Sequence, residues 1–170
     1  MHLILDTNCL IYLVKANLQE QFYDLSEKDV VIDNNVFEEA VNKGMEKEVE
    51  DAKDIDVFLK EKNIPIIPAN ISNAINNFID AGETSCFIIS KSGGTVITSD
   101  VKAIKKFLSM NVDVVRLEFF FFQKWVEKKI IKDELEDILK RLKNVNAISE
   151  VRYQFMLKEM ILQESRDKNE

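Results

Sequence analysis

Residues 2–8 read His-Leu-Ile-Leu-Asp-Thr-Asn, and residues 95–100 read Thr-Val-Ile-Thr-Ser-Asp. Each stretch is a short apolar run that ends in a carboxylate and is followed by a pattern of helical period. Buried parallel strands have this character, and their alternation with helices indicates βαβ units. Right-handed crossovers allow these two strands to be neighbours at the switch point of a sheet. We therefore expect Asp6 and Asp100 to face one another.

The rest of the chain continues this alternation of short apolar runs and helical patterns. Strands are predicted at residues 2–5, 30–32, 64–67, 95–98 and 112–116. Helices are predicted between them at 7–15, 35–43, 46–62, 71–79, 83–91 and 101–110, and after them at 118–129, 133–143 and 147–163. The sequence thus predicts a three-layer α/β fold, in which a mostly parallel sheet of about five strands carries helices on both faces and extra helices follow at the C-terminus.

Length and hydropathy set the broad class of protein. At 170 residues, with 4 Gly and 2 Pro, the chain has the size and composition of one ordered domain. No apolar run approaches the roughly 18 residues that a membrane span needs. The first residues are too few, and too soon followed by the charge of Asp6, to form a secretory signal. We therefore expect a cytoplasmic protein that does not associate with membranes.

Cysteine and histidine usage narrows the chemistry. Cys9 and Cys86 lie in apolar stretches without CxxC spacing or nearby histidines, which argues against zinc, and we expect both to be buried free thiols. His2 is the only histidine, which argues against a histidine base or a set of imidazole ligands. Carboxylates must therefore carry any chemistry.

Acidic residues occur where open α/β sheets bind ligands, outside the carboxyl ends of strands or at nearby helix starts. Asp6 and Asp100 end strands, Glu83 begins a helix, and Glu38 and Glu39 open or line another. Divalent Mg²⁺ and Mn²⁺ prefer oxygen ligands, and Mg²⁺ keeps several waters while it takes a few carboxylates. Acids from four places around one crevice are therefore typical of a Mg²⁺ or Mn²⁺ site.

Helix capping is the structural alternative for each acid taken alone. Asp6 and Asp100 are good N-cap residues, and Glu83 in a first turn interacts favourably with the helix dipole. Capping does not explain why all of these acids should converge on one edge of the sheet. Their convergence favours metal binding.

Four motifs follow one another in order along the chain, and a basic tail follows them. They are Leu5-Asp6-Thr7-Asn8, Val36-Phe37-Glu38-Glu39-Ala40, Gly82-Glu83-Thr84-Ser85-Cys86, Thr98-Ser99-Asp100 and Lys129-Ile130-Ile131-Lys132. In these motifs the sequence resembles the PIN-domain family of metal-dependent nucleases, specifically a Gly-Glu branch that includes prokaryotic toxin-like ribonucleases. The likeness covers roughly residues 1–143, a PIN-like nuclease domain, whereas 144–170 would form an additional helix packed on the domain or on a partner.

The resemblance implies a hydrolase that uses Mg²⁺ or Mn²⁺ to cleave nucleic acid, RNA in preference to DNA, in RNA processing or as a toxin. Asp6 and Asp100 would be the principal metal ligands, with Glu39 and Glu83 completing the set or orienting the water; Glu38 is the reserve for Glu39. Side chains that could hydrogen-bond and orient these carboxylates are Thr7, Asn8, Thr98 and Ser99. Ser99 stands where many relatives carry another acid, so one or two metals remain open.

Substrate contact requires cations near the acids, although the net charge is −7. Residues 102–143 hold 11 basic and 7 acidic residues, so the local field differs from the total. Lys102, Lys105 and Lys106 follow Asp100 at helical spacing and are predicted to bind phosphate, with a solvated helix face as the alternative. They would lie opposite an apolar stripe of Val101, Ile104, Phe107 and Leu108. A second candidate patch comprises Lys124, Lys128, Lys129 and Lys132.

Partners and rival functions complete the predictions. The surplus terminal helix and the run Phe119 to Phe122 suggest a homodimer, and the toxin-like resemblance implies that an inhibitory protein partner could exist. One rival is a catalytically inactive PIN-like module that binds RNA or protein. A less favoured rival is an aspartyl-phosphate enzyme with Asp6 as nucleophile, since Asn8 and Leu10 stand where that pattern requires Asp and then Thr or Val.

Overall fold

The chain folds around one parallel sheet, seen in a computed structural model that describes residues 2–27, 29–69 and 81–167. The strands are β1 His2–Leu5, β2 Val30–Asp33, β3 Ile66–Ile67, β4 Gly94–Ile97 and β5 Val114–Val115. Their order across the sheet is β3-β2-β1-β4-β5, and each neighbouring pair is parallel. The predicted α/β class and five-stranded parallel sheet are confirmed.

The helices follow the predicted alternation, with boundaries that differ by up to four residues. They are α1 Thr7–Lys15, α2 Gln19–Leu25, α3 Asn34–Phe37, α4 Lys43–Glu46, α5 Glu50–Glu61, α6 Ala81–Ser90, α7 Val101–Ser109, α8 Leu117–Val126, α9 Lys132–Asn144 and α10 Glu150–Asp167. Helix α2 was not predicted, because Phe22 is its one buried residue and gives no periodic signal. The helix predicted at 71–79 lies outside the described residues.

The pairing of β1 with β4 places the first and last acids of the predicted site at the same edge. Leu5 is in register with Ile97, so the two strands end level with each other. The backbone N–H of Asp6 then donates to Ile97 O at 3.2 Å. The predicted adjacency of these strands is therefore confirmed, and Asp6 and Asp100 both follow the carboxyl end of a central strand.

Close approach of β1 and β4 depends on Gly94. This residue pairs with His2, and a Cβ added to it would lie 2.7 Å from Ile4 Cδ1. A side chain at residue 94 would force Ile4, which is fully buried, out of its position. The close approach of the two strands therefore favours a glycine at this position.

Right-handed crossovers distribute the helices over both faces of the sheet. The connections from β1 to β2 and from β2 to β3 run in one direction, and α1 packs against α5. The connections to β4 and β5 run in the opposite direction, and α6 contacts β1, β2 and β4 while α7 contacts β5. The sheet thus lies between two helical layers, as predicted.

The predicted helix at 35–43 is interrupted by a π-helical segment. Helix α3 is followed by the π-helix Glu38–Asn42 before α4 begins, so one residue is inserted into the helical repeat. Such π-bulges change the direction of the side chains around them and are frequent at functional sites. Here the segment packs against α1 and α5 and carries Glu39.

The phenylalanine run on α8 belongs mainly to the core. Phe120 and Phe121 are buried, whereas Phe119 and Phe122 are half-buried. The ring of Phe22 on α2 lies 4.5 Å from that of Phe120 and 6.2 Å from that of Phe121. The internal packing that the run requires is thus supplied by the unpredicted helix α2.

The terminal helix α10 packs on α9 and leaves part of its apolar surface exposed. Met156 and Met160 are buried on it, whereas Val151 is 81% exposed and Ile161 60% exposed. Its Arg152 Nε donates to Glu118 Oε1 on α8 at 2.7 Å, and the guanidinium lies between the rings of Phe119 and Phe155. Arg116 Nε also lies 2.8 Å from Glu118 Oε1.

Removal of Glu118 is expected to destabilise the fold. Its carboxylate is fully buried, and Glu118→Ala would leave Arg116 and Arg152 facing each other without a counter-charge. Both arginines are partly exposed, so we expect a loss of about 2–3 kcal/mol, below the range for fully buried pairs. Thermal unfolding should show a Tm lowered by roughly 5–10 °C. The matched variant Glu136→Ala, on the exposed face of α9, should leave Tm nearly unchanged, and an equal fall in both variants would contradict the assignment.

No helix in the three described ranges is both long enough and apolar enough to cross a membrane. Cys9 and Cys86 are buried thiols that are not joined in a disulfide, as predicted.

Candidate active site

A polar cavity of about 200 Å³ opens at the carboxyl edge of the sheet. We call it the carboxylate cavity, and its lining residues are Asp6, Thr7, Asn8, Glu39, Gly82, Glu83 and Asp100. These residues come from α1, the π-helical segment, α6 and the end of β4. The structure therefore brings together the four acids that the sequence predicted to converge.

Asp6 is the most buried acid of the cavity, with 8% of its surface exposed. Its Oδ1 accepts from Cys9 N at 2.7 Å and so caps α1. Burial raises the pKa of this carboxyl to about 6, and the charge of Asp100 adds to the rise, whereas hydrogen bonds from Thr98 and Cys9 oppose it. A cation bound close to this buried carboxyl would stabilise its ionised form.

Asp100 caps α7 with a single oxygen. Its Oδ1 accepts from Lys102 N at 2.6 Å and from Ala103 N at 3.1 Å. The hydroxyl of Thr98 accepts from Asp100 N at 3.1 Å and also contributes to the hydrogen bonding of Asp6. Thr98 is fully buried and hydrogen-bonds to both acids.

Glu39 and Glu38 occupy different environments. Glu39 lines the carboxylate cavity, and Thr7 Oγ1 donates to its Oε2 at 2.8 Å. Glu38 is exposed, and its Oε2 accepts from Asn42 Nδ2 at 2.6 Å on the same helical segment. The structure therefore places Glu39, not Glu38, among the acids of the cavity.

Glu83 reaches the cavity from the first turn of α6, beside Gly82. Gly82 is buried, and Ser85 Oγ donates to its carbonyl at 2.9 Å. Helix α6 contacts β1, β2 and β4, so its N-terminus is held over the centre of the sheet. This packing brings an acid 77 positions from Asp6 in sequence to the same cavity.

The donor set fits a hydrated divalent cation. For Asp100 and Glu39, the capping and orienting hydrogen bonds of the described residues use one carboxylate oxygen and leave the other without a hydrogen bond. Within the same residues, no Lys or Arg forms an ion pair with Asp6, Glu39 or Asp100. Capping and metal binding are therefore compatible.

The acids are not drawn together as closely as in a chelate. In residues 2–27, 29–69 and 81–167, no three Asp, Glu, Cys or His side chains lie close enough together to hold a metal ion as they stand. Mg²⁺ retains several of its waters in proteins, and the cavity has room for several waters at roughly 30 Å³ each. A cation would therefore contact some of these acids through water.

The predicted orienting residues divide into two groups. Thr7 and Thr98 make the hydrogen bonds described above, whereas the side chain of Asn8 is exposed and lines the mouth of the cavity. Ser99 does not line the cavity, and its Oγ is 3.6 Å from Cys9 Sγ. Burial, with the nearby charge of Asp6, raises the pKa of Cys9, so this thiol stays neutral.

The predicted basic residues all lie on α7. Lys102 is exposed beside Asp100, whereas Lys105 and Lys106 lie further along α7. The apolar stripe predicted on this helix is wrong at Val101 and Leu108, which are 49% and 58% exposed; Ala103 and Phe107 are its buried residues.

The second candidate patch is neutralised by acids. Lys124 and Lys129 both pair with Glu27, and Lys132 pairs with Glu164. The pairing reflects tertiary contacts with the loop that follows α2 and with α10, which the local sequence does not show. Three of the four lysines of the patch are therefore paired with acids, which lowers the positive charge that the patch presents.

A further groove joins the carboxylate cavity and involves residues that the sequence did not single out. Tyr12 and Asn146 line it together with Asn8 and Asp100. The spacing of four residues from Asn8 to Tyr12 on α1 was a local signal, because such residues share a helix face. Asn146, in the turn between α9 and α10, had no such signal.

Comparison with protein families agrees with this geometry. The DUF3368 family model, a PIN domain, matches residues 2–162. The chain belongs to the PIN-domain family. PIN domains are generally nucleases, and the cavity of this PIN domain gathers the acids expected for that chemistry. The match extends through most of α10, beyond the residues on which the sequence resemblance rested. No curated protein matches the sequence closely.

Proposed function

We propose that this PIN domain is a Mg²⁺- or Mn²⁺-dependent endoribonuclease that hydrolyses phosphodiester bonds at the carboxylate cavity. The observation that carries the proposal is the convergence of Asp6, Glu39, Glu83 and Asp100 on one cavity. The raised pKa of Asp6 supports it, because the buried carboxylate gains most from a cation. The preference for RNA rests on the family resemblance.

Some residues of the cavity would bind the metal, and others position the metal-binding carboxylates. Asp6 and Asp100 would be the principal metal ligands, and Glu39 and Glu83 would complete the set or orient the attacking water. When bound there, a divalent cation would lower the pKa of that water and would neutralise charge on the leaving 3′ oxygen. Thr7 and Thr98 hold the carboxylates in position through their hydroxyl groups.

A cleavage assay tests the proposal directly. We expect the purified protein to cut labelled single-stranded RNA in the presence of Mn²⁺ or Mg²⁺ and to stop when a chelator is added. Cleavage that persists in the chelator would contradict the proposal. An absence of cleavage, with RNA still bound, would favour the alternative of an inactive RNA-binding module, which is consistent with the spacing of the acids.

The neighbouring acids Glu39 and Glu38 provide a matched pair of variants. Glu39→Gln keeps the shape of the side chain but weakens its contact with a cation, so we expect kcat to fall roughly 10- to 100-fold. Glu38→Gln changes the same charge one residue away, outside the cavity, and should retain nearly full activity. Equal loss of activity in both variants would remove Glu39 from the site.

The proposal extends to the cellular location of the protein and to its assembly. We propose a cytoplasmic protein whose residues 144–170 form a segment added to a nuclease domain of residues 1–143. Apolar residues exposed on α10, such as Val151 and Ile161, support a homodimer. A toxin-like role would add an inhibitory protein partner.

A further inference from the structure

A groove of about 390 Å³ lies directly beside the carboxylate cavity. We call it the Tyr12 groove; besides Asn8 and Asp100, which it shares with the cavity, it is lined by Tyr12, Ser99, Val101, Lys102, Asn146 and Ala147. Because two residues line both spaces, the groove adjoins the cavity. Its volume falls in the range of roughly 300–1,000 Å³ typical of small-ligand sites, whereas the cavity itself is smaller.

The lining of the Tyr12 groove offers three kinds of contact. Tyr12 is half-buried, and its hydroxyl has no hydrogen-bond partner within the described part of the chain. Asn8 and Asn146 are exposed, and neither side-chain amide is hydrogen-bonded there. Lys102 is exposed and forms no ion pair with the described residues. An aromatic ring, two amides and a cation together suit an unpaired nucleotide.

The backbone around Asn146 holds it in place. Asn146 has φ of 60°, in the left-handed region that Asn tolerates better than most residues. Its N–H donates to Lys143 O at 3.0 Å, and the next N–H, of buried Ala147, donates to Leu142 O at 2.9 Å. The turn between α9 and α10 therefore has a defined conformation and presents Asn146 to the groove.

We propose that the Tyr12 groove binds one unpaired nucleotide of the substrate strand next to the bond that is cut. The base stacks on Tyr12, the Asn146 amide hydrogen-bonds the base edge, and Lys102 contacts a phosphate. This inference rests on the proposed nuclease function for its choice of ligand. It also gives the turn before α10 a role in substrate binding.

Binding of a short end-labelled single-stranded RNA, followed by fluorescence anisotropy with EDTA present, tests the inference without cleavage. Tyr12→Leu keeps apolar bulk for core packing but removes the aromatic face, so Kd should rise about 5- to 100-fold. Tyr12→Phe keeps the ring and should bind nearly as well as the wild type. Loss in both variants, or in neither, would overturn the stacking role.

The asparagine contact has its own control. Asn146→Gly allows the positive φ but removes the amide, and Kd should rise about 3- to 10-fold. Asn111→Gly makes the same change at φ of 54° after α7, outside the groove, and should not alter Kd. Equal effects in the two variants would overturn the contact.

The outcomes separate this inference from the proposed function. RNA binding that depends on Tyr12 and Asn146, without metal-dependent cleavage, would support the groove and refute the nuclease. Metal-dependent cleavage with unchanged kcat/KM in Tyr12→Leu and Asn146→Gly would support the nuclease and refute the groove. A wild-type protein that does not bind the RNA would overturn the inference.

Discussion

Asp6→Asn and Asp100→Asn are each expected to lower the kcat of RNA cleavage by roughly 10²- to 10³-fold, the range for losing one preorganised charge contact in an active site. Both acids follow central strands that end level with each other, and both line the carboxylate cavity. Asn can still accept the capping hydrogen bonds from Cys9 and Lys102, so the helices should keep their caps. The loss would therefore report charge and not folding.

Comparison of rates at saturating Mn²⁺ sharpens this prediction. If the two acids bind the cation, a higher Mn²⁺ concentration should restore part of the activity of the less active variant. An exposed acid on α5, changed in Asp54→Asn, controls for the loss of one negative charge and should leave kcat unchanged. Full activity in both Asp6→Asn and Asp100→Asn would refute the assignment of the site.

Stability should respond to Asp6→Asn in the opposite direction from activity. The pKa of Asp6 is about 6 in the folded protein, against 3.8 for an unperturbed carboxyl, so the folded state binds the proton more tightly. Between these two values the stability of the metal-free wild type falls as pH rises, because the unfolded state ionises first. The difference corresponds to about 3 kcal/mol of stability, which is fully present below pH 3.8 and is lost as pH rises through about pH 6.

Asp6→Asn removes this ionisation. Its free energy of unfolding should therefore exceed that of the wild type by an amount that grows as pH rises from 4 and reaches about 3 kcal/mol at pH 7. Urea unfolding of both proteins in EDTA at several pH values measures the difference between their free energies of unfolding. The contributions of the other titrating groups cancel in this difference. Mn²⁺ at pH 7 should then stabilise the wild type and not the variant. A difference that does not change with pH would show that burial does not hold the Asp6 proton.

The central pair of strands in the sheet could be predicted from sequence. Two apolar runs ending in Asp6 and Asp100 sufficed, because buried parallel strands have a distinctive local pattern and crossovers have a fixed hand. Helix α2 was not predicted, since its single buried residue, Phe22, makes no periodic pattern. Its position became evident only through the rings of Phe120 and Phe121 that it contacts.

The acids of the site could also be named from sequence, but not their surroundings. Glu38 and Glu39 differ by one position in a helical stretch, and the π-helical segment decides which of them lines the cavity. Lys124 and Lys129 looked like a basic patch, yet Glu27, about a hundred positions earlier, pairs with both. Such pairings depend on contacts distant in sequence, which no local spacing encodes.

By itself, the sequence determined the α/β class, the family resemblance and the set of carboxylates, because these depend on residue type and local period. Tertiary structure alone decided how deeply Asp6 is buried, that Thr7 holds Glu39, and that Asn146 joins Tyr12 in one groove. Burial, hydrogen bonding and cavity shape arise when distant segments pack together. For that reason the chemistry of the site could be proposed from the sequence, while its electrostatics and its substrate groove required the fold.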